Sequence, residues 1–469
     1  MDFTLDLRIT SRRLLDAVNA TAFCRRASFS PVFPSMPLFS QPDYIPLACT
    51  AVEVNVKSTL SQDDINAFHR RSNFMRSLTV SMDGFPKSPD EAGMTARWAS
   101  ICDLLRLTAP NLQHIIISNH EYDGAQLESL LPWSFLAPPT AFSRLTTLSL
   151  QAWKRRLYRD DLAEIILPIP SLKALRLRFT AFGGYRQFYF TGPYEAPIPH
   201  NLLFLRVDGL RHGTTAFFRI MGSQSRSLQR LEGWRANHLL PEAIEQCEEC
   251  RVDLTLAFRA TEVIASGHQA GVEFRRTYMI SAADHGGRDG HILTSPKIVS
   301  HITRLTIHQL IWLSAPVFAE APLLETLRVI IAHCRDYRRV DYYDDLFLLD
   351  SDSIWSLPML REVHFLYPPS EPARDGEPCG TGHDCCLRGM MLLSAQLVAR
   401  FLSTRLQFRG PKLNAVQFTR VEFAEPLHLV QSLLSAFAER VAVSDVAVDV
   451  PAAHAPDDFE HTAATILGS

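Results

Sequence analysis

Pro170-Ser-Leu172-Lys-Ala-Leu175-Arg-Leu177 decides the fold, because its spacing of apolar residues returns along the chain. It recurs as Pro110-Asn-Leu112-Gln-His-Ile115-Ile-Ile117, Leu145-Thr-Thr-Leu148-Ser-Leu150 and Leu202-Leu-Phe-Leu205-Arg-Val207. Further on come Ile302-Thr-Arg-Leu305-Thr-Ile307, Leu324-Glu-Thr-Leu327-Arg-Val329, Leu360-Arg-Glu-Val363-His-Phe365 and Leu413-Asn-Ala-Val416-Gln-Phe418. Met75-Arg-Ser-Leu78-Thr-Val80 precedes these copies, and Leu228-Gln-Arg-Leu231 is a decayed one. The last three positions of each copy alternate, so two apolar side chains point inward from a short strand and the residue between them points out. Strands are therefore expected near 78–80, 115–117, 148–150, 175–177, 205–207, 305–307, 327–329, 363–365 and 416–418.

Spacing between copies names the repeat class. First-leucine positions step by 27 from Leu145 to Leu172, by 30 to Leu202 and by 22 from Ile302 to Leu324. These steps lie at or beside the roughly 20–29 residues of a leucine-rich repeat. Steps of 33, 36 and 53 elsewhere mark insertions. Helical stripes fall between strands: Trp98, Ile101, Cys102 and Leu105 after Thr95; Leu162, Ile165 and Ile166 after Asp160; Leu397, Val398, Phe401 and Leu402; Val430, Leu433, Leu434 and Phe437. Strands alternating with helices predict an α/β chain with a parallel sheet. The expected architecture is an irregular leucine-rich-repeat solenoid, a horseshoe with helices outside and a concave sheet face open to solvent. The slot where regular repeats keep asparagine holds His120, Trp153, Thr180, Leu210 and Leu310, so no asparagine ladder stitches the turns and uneven curvature is expected.

The repeat sets the expected organisation. Residues 1–46 form an irregular segment and residues 47–256 a first repeat half. Residues 257–298, with Gly267, Gly271, Gly286, Gly287 and Gly290, form an insertion or break. A second half spans 299–450 with a loop at 367–389, and 451–469 is a flexible tail.

Composition bounds the function. The 469 residues are 46% hydrophobic and 21% charged, with a net charge of −3. That is ample material for a core and no dominant field for nucleic acid. No segment approaches the roughly 18 apolar residues of a membrane span, and the opening residues carry no secretory pattern. Nine scattered cysteines fit a reducing compartment, so a cytoplasmic or nuclear location is expected.

Each chemistry-bearing cluster has a structural alternative. Cys379, His383, Cys385 and Cys386 lie within eight residues, but the two adjacent cysteines make a tetrahedral zinc site awkward, and Cys247-Glu-Glu-Cys250 is a lone pair. His285-Gly-Gly-Arg-Asp-Gly-His291 lacks the lysine and the strand-to-helix setting of a phosphate loop. Asp341 to Asp352 reads as a solvated acidic helix start, and the clusters Trp153 to Arg159 and Arg335 to Arg339 read as solvated turns. No hydrolase, metalloprotease or kinase signature is present, so no enzyme, metal or cofactor is expected.

Irregular arginine-rich repeats of this P-x-L-x-x-L-x-L kind, from Phe74 to about Phe423, resemble the repeat regions of fungal F-box-like proteins. That resemblance implies a binding scaffold, with a substrate held on the repeats and an adaptor of the Skp type held by an N-terminal three-helix module. Residues 1–46 lack that module's leucine-proline opening, so Skp binding is not expected of this chain as written. Candidate ligand-binding residues are the outward ones on the concave strands: Arg176, Arg178, Arg206, His308, Arg328 and His364, in rows with Ile116, Ser149, Thr306 and Gln417. Arg176 and Arg206 fall side by side and repel, so a partner carboxylate or phosphate, or an acid such as Asp208 within the chain, is expected to neutralise them. The expected ligand is a protein. A nucleic acid gripped by the arginine clusters, and an enzyme with a site in the 257–298 or 367–389 loops, are the alternatives.

Overall fold

A computed structural model describes residues 5–6, 26–29, 51–55, 76–81, 111–118, 142–153, 156–158, 169–179, 186–189, 201–208, 210–212, 218, 227–233, 236–257, 260–281, 289–314, 320–331, 354–367, 391–445 and 459–468. The chain is of the α/β class and divides into two compact units. One comprises residues 1–235 with 458–469, and the other residues 236–457.

The first unit is built on a wholly parallel sheet: β1 (Leu5–Asp6), β2 (Arg26–Phe29), β3 (Ala51–Asn55), β4 (Ser77–Ser81), β5 (His114–Ser118), β6 (Thr147–Trp153), β7 (Ala174–Phe179), β8 (Phe204–Asp208) and β9 (Arg230–Gly233). Each strand pairs with the next in sequence, and equivalent repeat positions stand side by side. Leu78, Ile115, Leu148, Leu175, Leu205 and Leu231 thus form one buried row across six strands. Cutting one such leucine to alanine leaves a cavity costing about 2–5 kcal/mol.

A short turn launches each strand. Leu172 N–H donates to Ile169 O at 3.2 Å, and Leu145 N–H to Phe142 O at 3.1 Å. Leu324 with Ala321 and Leu360 with Leu357 repeat the turn in the second unit, at 3.3 and 3.0 Å. Pro170, Pro322 and Pro358 follow the first turn residue, where a fixed φ favours this geometry. Phe142, Ile169, Ala321 and Leu357 are all buried, which adds an apolar slot three residues before the first leucine.

In place of an asparagine ladder, a thread of backbone hydrogen bonds stitches these turns. Gln113 N–H donates to Arg76 O, Thr146 to Gln113, Lys173 to Thr146, Leu203 to Lys173 and Gln229 to Leu203, at 2.7–2.9 Å. Side chains reinforce it: Thr146 Oγ1 donates to Gln113 O at 3.1 Å, Ser171 Oγ to Leu145 O at 2.8 Å and Asn201 Nδ2 to Pro170 O at 3.1 Å.

The second unit has a mixed sheet: β10 (Glu248–Ala257), β11 (Ala260–Gln269), β12 (Val272–Ser281), β13 (Ile302–His308), β14 (Thr326–Ile330), β15 (Glu362–Leu366), β16 (Leu413–Thr419) and β17 (Ala438–Ser444). From β13 to β17 every pairing is parallel, and β10 joins β13 in parallel. On its other side β10 carries the antiparallel hairpin β11–β12. Phe365 and Phe418, neighbours on β15 and β16, stack at 5.3 Å. Phe401, on helix α1 (Ala395–Thr404), meets Phe365 edge-on at 6.0 Å, so this helix covers the apolar face. The chain then forms α2 (Leu427–Leu434).

All nine expected strands are present and parallel to their neighbours. Elsewhere the structure adds to the expected organisation. Residues 1–46, expected to be irregular, contribute β1 and β2 to the parallel sheet. The stretch 257–298, expected as an insertion or break, holds the β11–β12 hairpin, with Thr261, Val263 and Ala265 facing the core against Phe274 and Tyr278. Gly271, read as a loop signal, closes that hairpin at φ +76° beside Ala270 at +51°, a primed two-residue turn that matches strand twist. The expected flexible tail contains α3 (Phe459–Gly468), anchored in the first unit by Phe459 and Ala463. Because of α3, the outward sheet face of the first unit is not wholly open: Phe459, Ala463 and Ile466 cover Ala174 and Phe204.

Candidate ligand-binding face

Strand register brings the predicted outward residues together. In the first unit Thr79, Ile116, Ser149, Arg176, Arg206 and Glu232 form one lateral row across β4 to β9. Arg178 and Asp208 pair one step along the strands. Arg176 is only 3% exposed, and it and the arginines around it share two carboxylates. Its Nε donates to Asp208 Oδ2 at 3.0 Å, and Arg206 Nε reaches Asp208 Oδ1 at 3.1 Å. Arg206 Nη1 also lies 3.5 Å from Glu232, which accepts from Arg230 Nε at 2.6 Å. Burial pulls the Arg176 pKa down, and Asp208 pushes it back up. The cationic strip is therefore partly neutralised from within, by the acid named from sequence and by Glu232.

The second unit is different. Thr306, Arg328, His364 and Gln417 form a row across β13 to β16. Adjacent positions in such a row lie about 4.8 Å apart. His364 Nε2 lies 3.2 Å from Glu362, and because a carboxylate only accepts, the ring donates. Arg304 pairs with Asp253 at 3.0 Å. Arg328, between Thr306 and His364, has no ion pair or hydrogen bond among the described residues, and its Nε is enclosed. Burial lowers its pKa first and Arg304 lowers it further, while Asp253 and Glu362 act the other way. A guanidinium with its planar donors unspent is suited to a carboxylate or phosphate. His364 is held below its ordinary pKa of 6.5 mainly by burial, so it is neutral at pH 7 and offers Nδ1 as an acceptor. Below its own pKa, that nitrogen becomes a second donor beside Arg328. His308, on the same face of β13, is buried with 5% exposure, so its ring is enclosed within the sheet face.

Other clusters carry less. Cys247 and Cys250 sit together at a bulge where Glu249 adopts φ +52°. Burial pushes the Cys250 thiol up to about 12, with Cys247 adding to the rise, so it stays protonated at neutral pH and is a poor metal ligand. Among the described residues no group of three or more metal-ligating side chains gathers. Cys379, His383, Cys385 and Cys386, residues 341–352, the arginines 335–339, Arg159 and the glycines 286–287 lie outside the described residues. No described helix is long and apolar enough to cross a membrane.

Sequence reasoning placed the rows but missed their occupant in the first unit. The signal was present: Phe459, Ala463 and Ile466 are spaced i, i+4, i+7, one stripe of a helix. Compared with known protein families, with curated proteins and with solved structures, the chain matches none.

Proposed function

We propose that the chain is a non-catalytic binding scaffold, an irregular leucine-rich-repeat solenoid that presents its outward strand residues to a protein ligand. One observation carries this reading: among the described residues Arg328 stands without a partner in the middle of a register-aligned polar row, while Arg176 and Arg206 of the first unit are held by Asp208 and Glu232. Leaving a guanidinium partly desolvated and unpaired costs stability, and a carboxylate supplied from outside offsets that cost. The ligand is an acidic segment of a protein, with one carboxylate on Arg328 and the His364 edge beside it. A role in selecting substrates for ubiquitin ligation rests on the F-box-like resemblance alone.

The test is titration of the full chain with a short glutamate-rich peptide, and in parallel with single-stranded RNA. Binding of the peptide, lost in Arg328→Ala and kept in the exposed-site variant Arg409→Ala, is the expected outcome. Equal peptide binding in both variants would remove Arg328 from the site. Tighter RNA binding with a steep salt dependence would favour a nucleic-acid ligand instead.

A further inference from the structure

We propose that the outward face of β7 and β8 is a helix-docking groove, filled in this chain by α3 and open to a partner helix of the same chemistry. The proposal builds on the reading of the sheet face as a binding surface, but it uses none of the residues around Arg328.

Three anchors define the groove. Phe459 is 1% exposed and packs on Phe204 with ring centroids 5.0 Å apart. The Arg176 guanidinium lies 5.9 Å from the centre of the same ring, a cation over a π face. One turn on, Ala463 is 2% exposed against Ala174 and Phe204, and Ile466 packs at the edge of the cluster. An occupant therefore needs an aromatic residue at i, a small residue at i+4 and an aliphatic one at i+7. A larger side chain at i+4 would collide with Ala174 and Phe204, both 0% exposed.

Two buried hydroxyls stand unsatisfied on β6, next to the floor of this groove. Thr147 and Ser149, 3% and 1% exposed, are the register partners of Ala174 and Arg176. Among the described residues neither Oγ1 of Thr147 nor Oγ of Ser149 has a hydrogen-bond partner. Buried donors left unsatisfied are uncommon and costly. A partner helix that places an Asn, Gln, Asp or Glu side chain within reach would accept from them, and among the described residues no group does. A helix of ten residues is also too short to persist by itself, so α3 depends on its three anchors for order. Both facts make α3 displaceable: the partner is an amphipathic helix with the aromatic–small–aliphatic stripe of α3 and a hydrogen-bond acceptor at its flank.

The probe is a fluorescent peptide of residues 457–469, read by anisotropy against the full chain. Because α3 competes from within, the unaltered chain should bind it weakly, and the Phe459→Ala chain about tenfold or more tightly. A peptide that itself carries Phe459→Ala should not bind. Equal affinity for the two chains would overturn the proposal. Since Phe459→Ala could lower stability, hydrogen exchange on the unaltered chain supplies a second measurement. Amides of α3 should exchange about a hundredfold faster than those of Leu205 to Val207, and equal protection would show a fixed element instead. Concentration-dependent dimers that exchange α3 would make a second copy the occupant and refute the partner helix. Arg328→Glu should leave the peptide affinity unchanged, so failure of the acidic site and failure of the groove are told apart.

Discussion

Arg176 on β7 and Asp208 at the end of β8 are joined by a 3.0 Å bond from Nε to Oδ2, and the same carboxylate holds Arg206. One acid thus keeps two neighbouring guanidinium groups from repelling each other in a mostly buried row. Removing one partner of a buried pair strands the other, at a cost of about 3–5 kcal/mol. Asp208 is 29% exposed at its side chain, so water softens the loss. Asp208→Asn should lower unfolding stability by about 2 kcal/mol in a denaturant titration. A variant within about 0.5 kcal/mol of the parent would show that Glu232 alone suffices.

The orphaned hydroxyl of Ser149 predicts the opposite sign. Deleting a buried donor that has no partner removes a desolvation penalty and little packing. Ser149→Ala should therefore leave the thermal midpoint unchanged or raise it. A fall of several degrees would reveal a partner for that oxygen.

Stability should depend on pH through two histidines. Burial holds both His114 and His364 below their ordinary value of 6.5. A group whose folded pKa is depressed binds protons first in the unfolded state, so stability is complete above that ordinary value and falls as pH drops below it. The thermal midpoint should decline between about pH 7 and pH 5, and His114→Gln with His364→Gln should flatten the decline. Acidic-peptide binding should run the other way, since a protonated His364 adds a donor beside Arg328.

Helix α1 is started by a cap that spans the chain. Ser394 Oγ accepts from Gln396 N–H at 3.2 Å and donates to Glu425 at 2.8 Å, while Ala395 N–H donates to Glu425 at 3.1 Å. Ser394→Ala should cost about 1 kcal/mol, measured by chemical denaturation. Burial tends to raise the Glu425 pKa, but the bonds from Ala395 and Ser394 outweigh it and hold the carboxyl below its usual value. Its contribution is therefore present above that value and lost as pH falls through the depressed one.

The hairpin turn can be improved and its neighbour cannot. Ala270 sits at φ +51°, where a β-carbon is strained and asparagine is tolerated. Ala270→Asn should stabilise by roughly 0.5–1 kcal/mol. At Gly267 an added β-carbon would lie 2.5 Å from Cys247 Sγ and 2.6 Å from Glu248 O, so Gly267→Ala should open the β10–β11 pairing, seen as faster exchange at Glu248 to Arg251.

The strands were legible because each repeat states its alternation locally: Leu175, Arg176 and Leu177 point in, out and in whatever surrounds them. The outward rows followed, since register aligns equivalent positions. Partnering was less legible. Asp208 was within reach because it lies two residues from Arg206, but Glu232 joins through the decayed copy around Leu231. The hairpin was hidden because Gly267 and Gly271 read as loop residues, although one makes room for a cysteine and the other makes the turn. The role of α3 was hidden because a short apolar stripe does not say which distant surface it meets.

That distance has a consequence for synthesis. About 250 residues separate Phe204 from Phe459, whereas each parallel strand pairs with one made shortly before it. At about 5–20 residues per second, a ribosome needs roughly ten seconds to a minute to cover that gap. During that interval the nascent first unit presents the bare apolar floor formed by Ala174 and Phe204. A helper able to hold an aromatic-seeking surface has its window there, and the window shuts when the ten residues of α3 emerge.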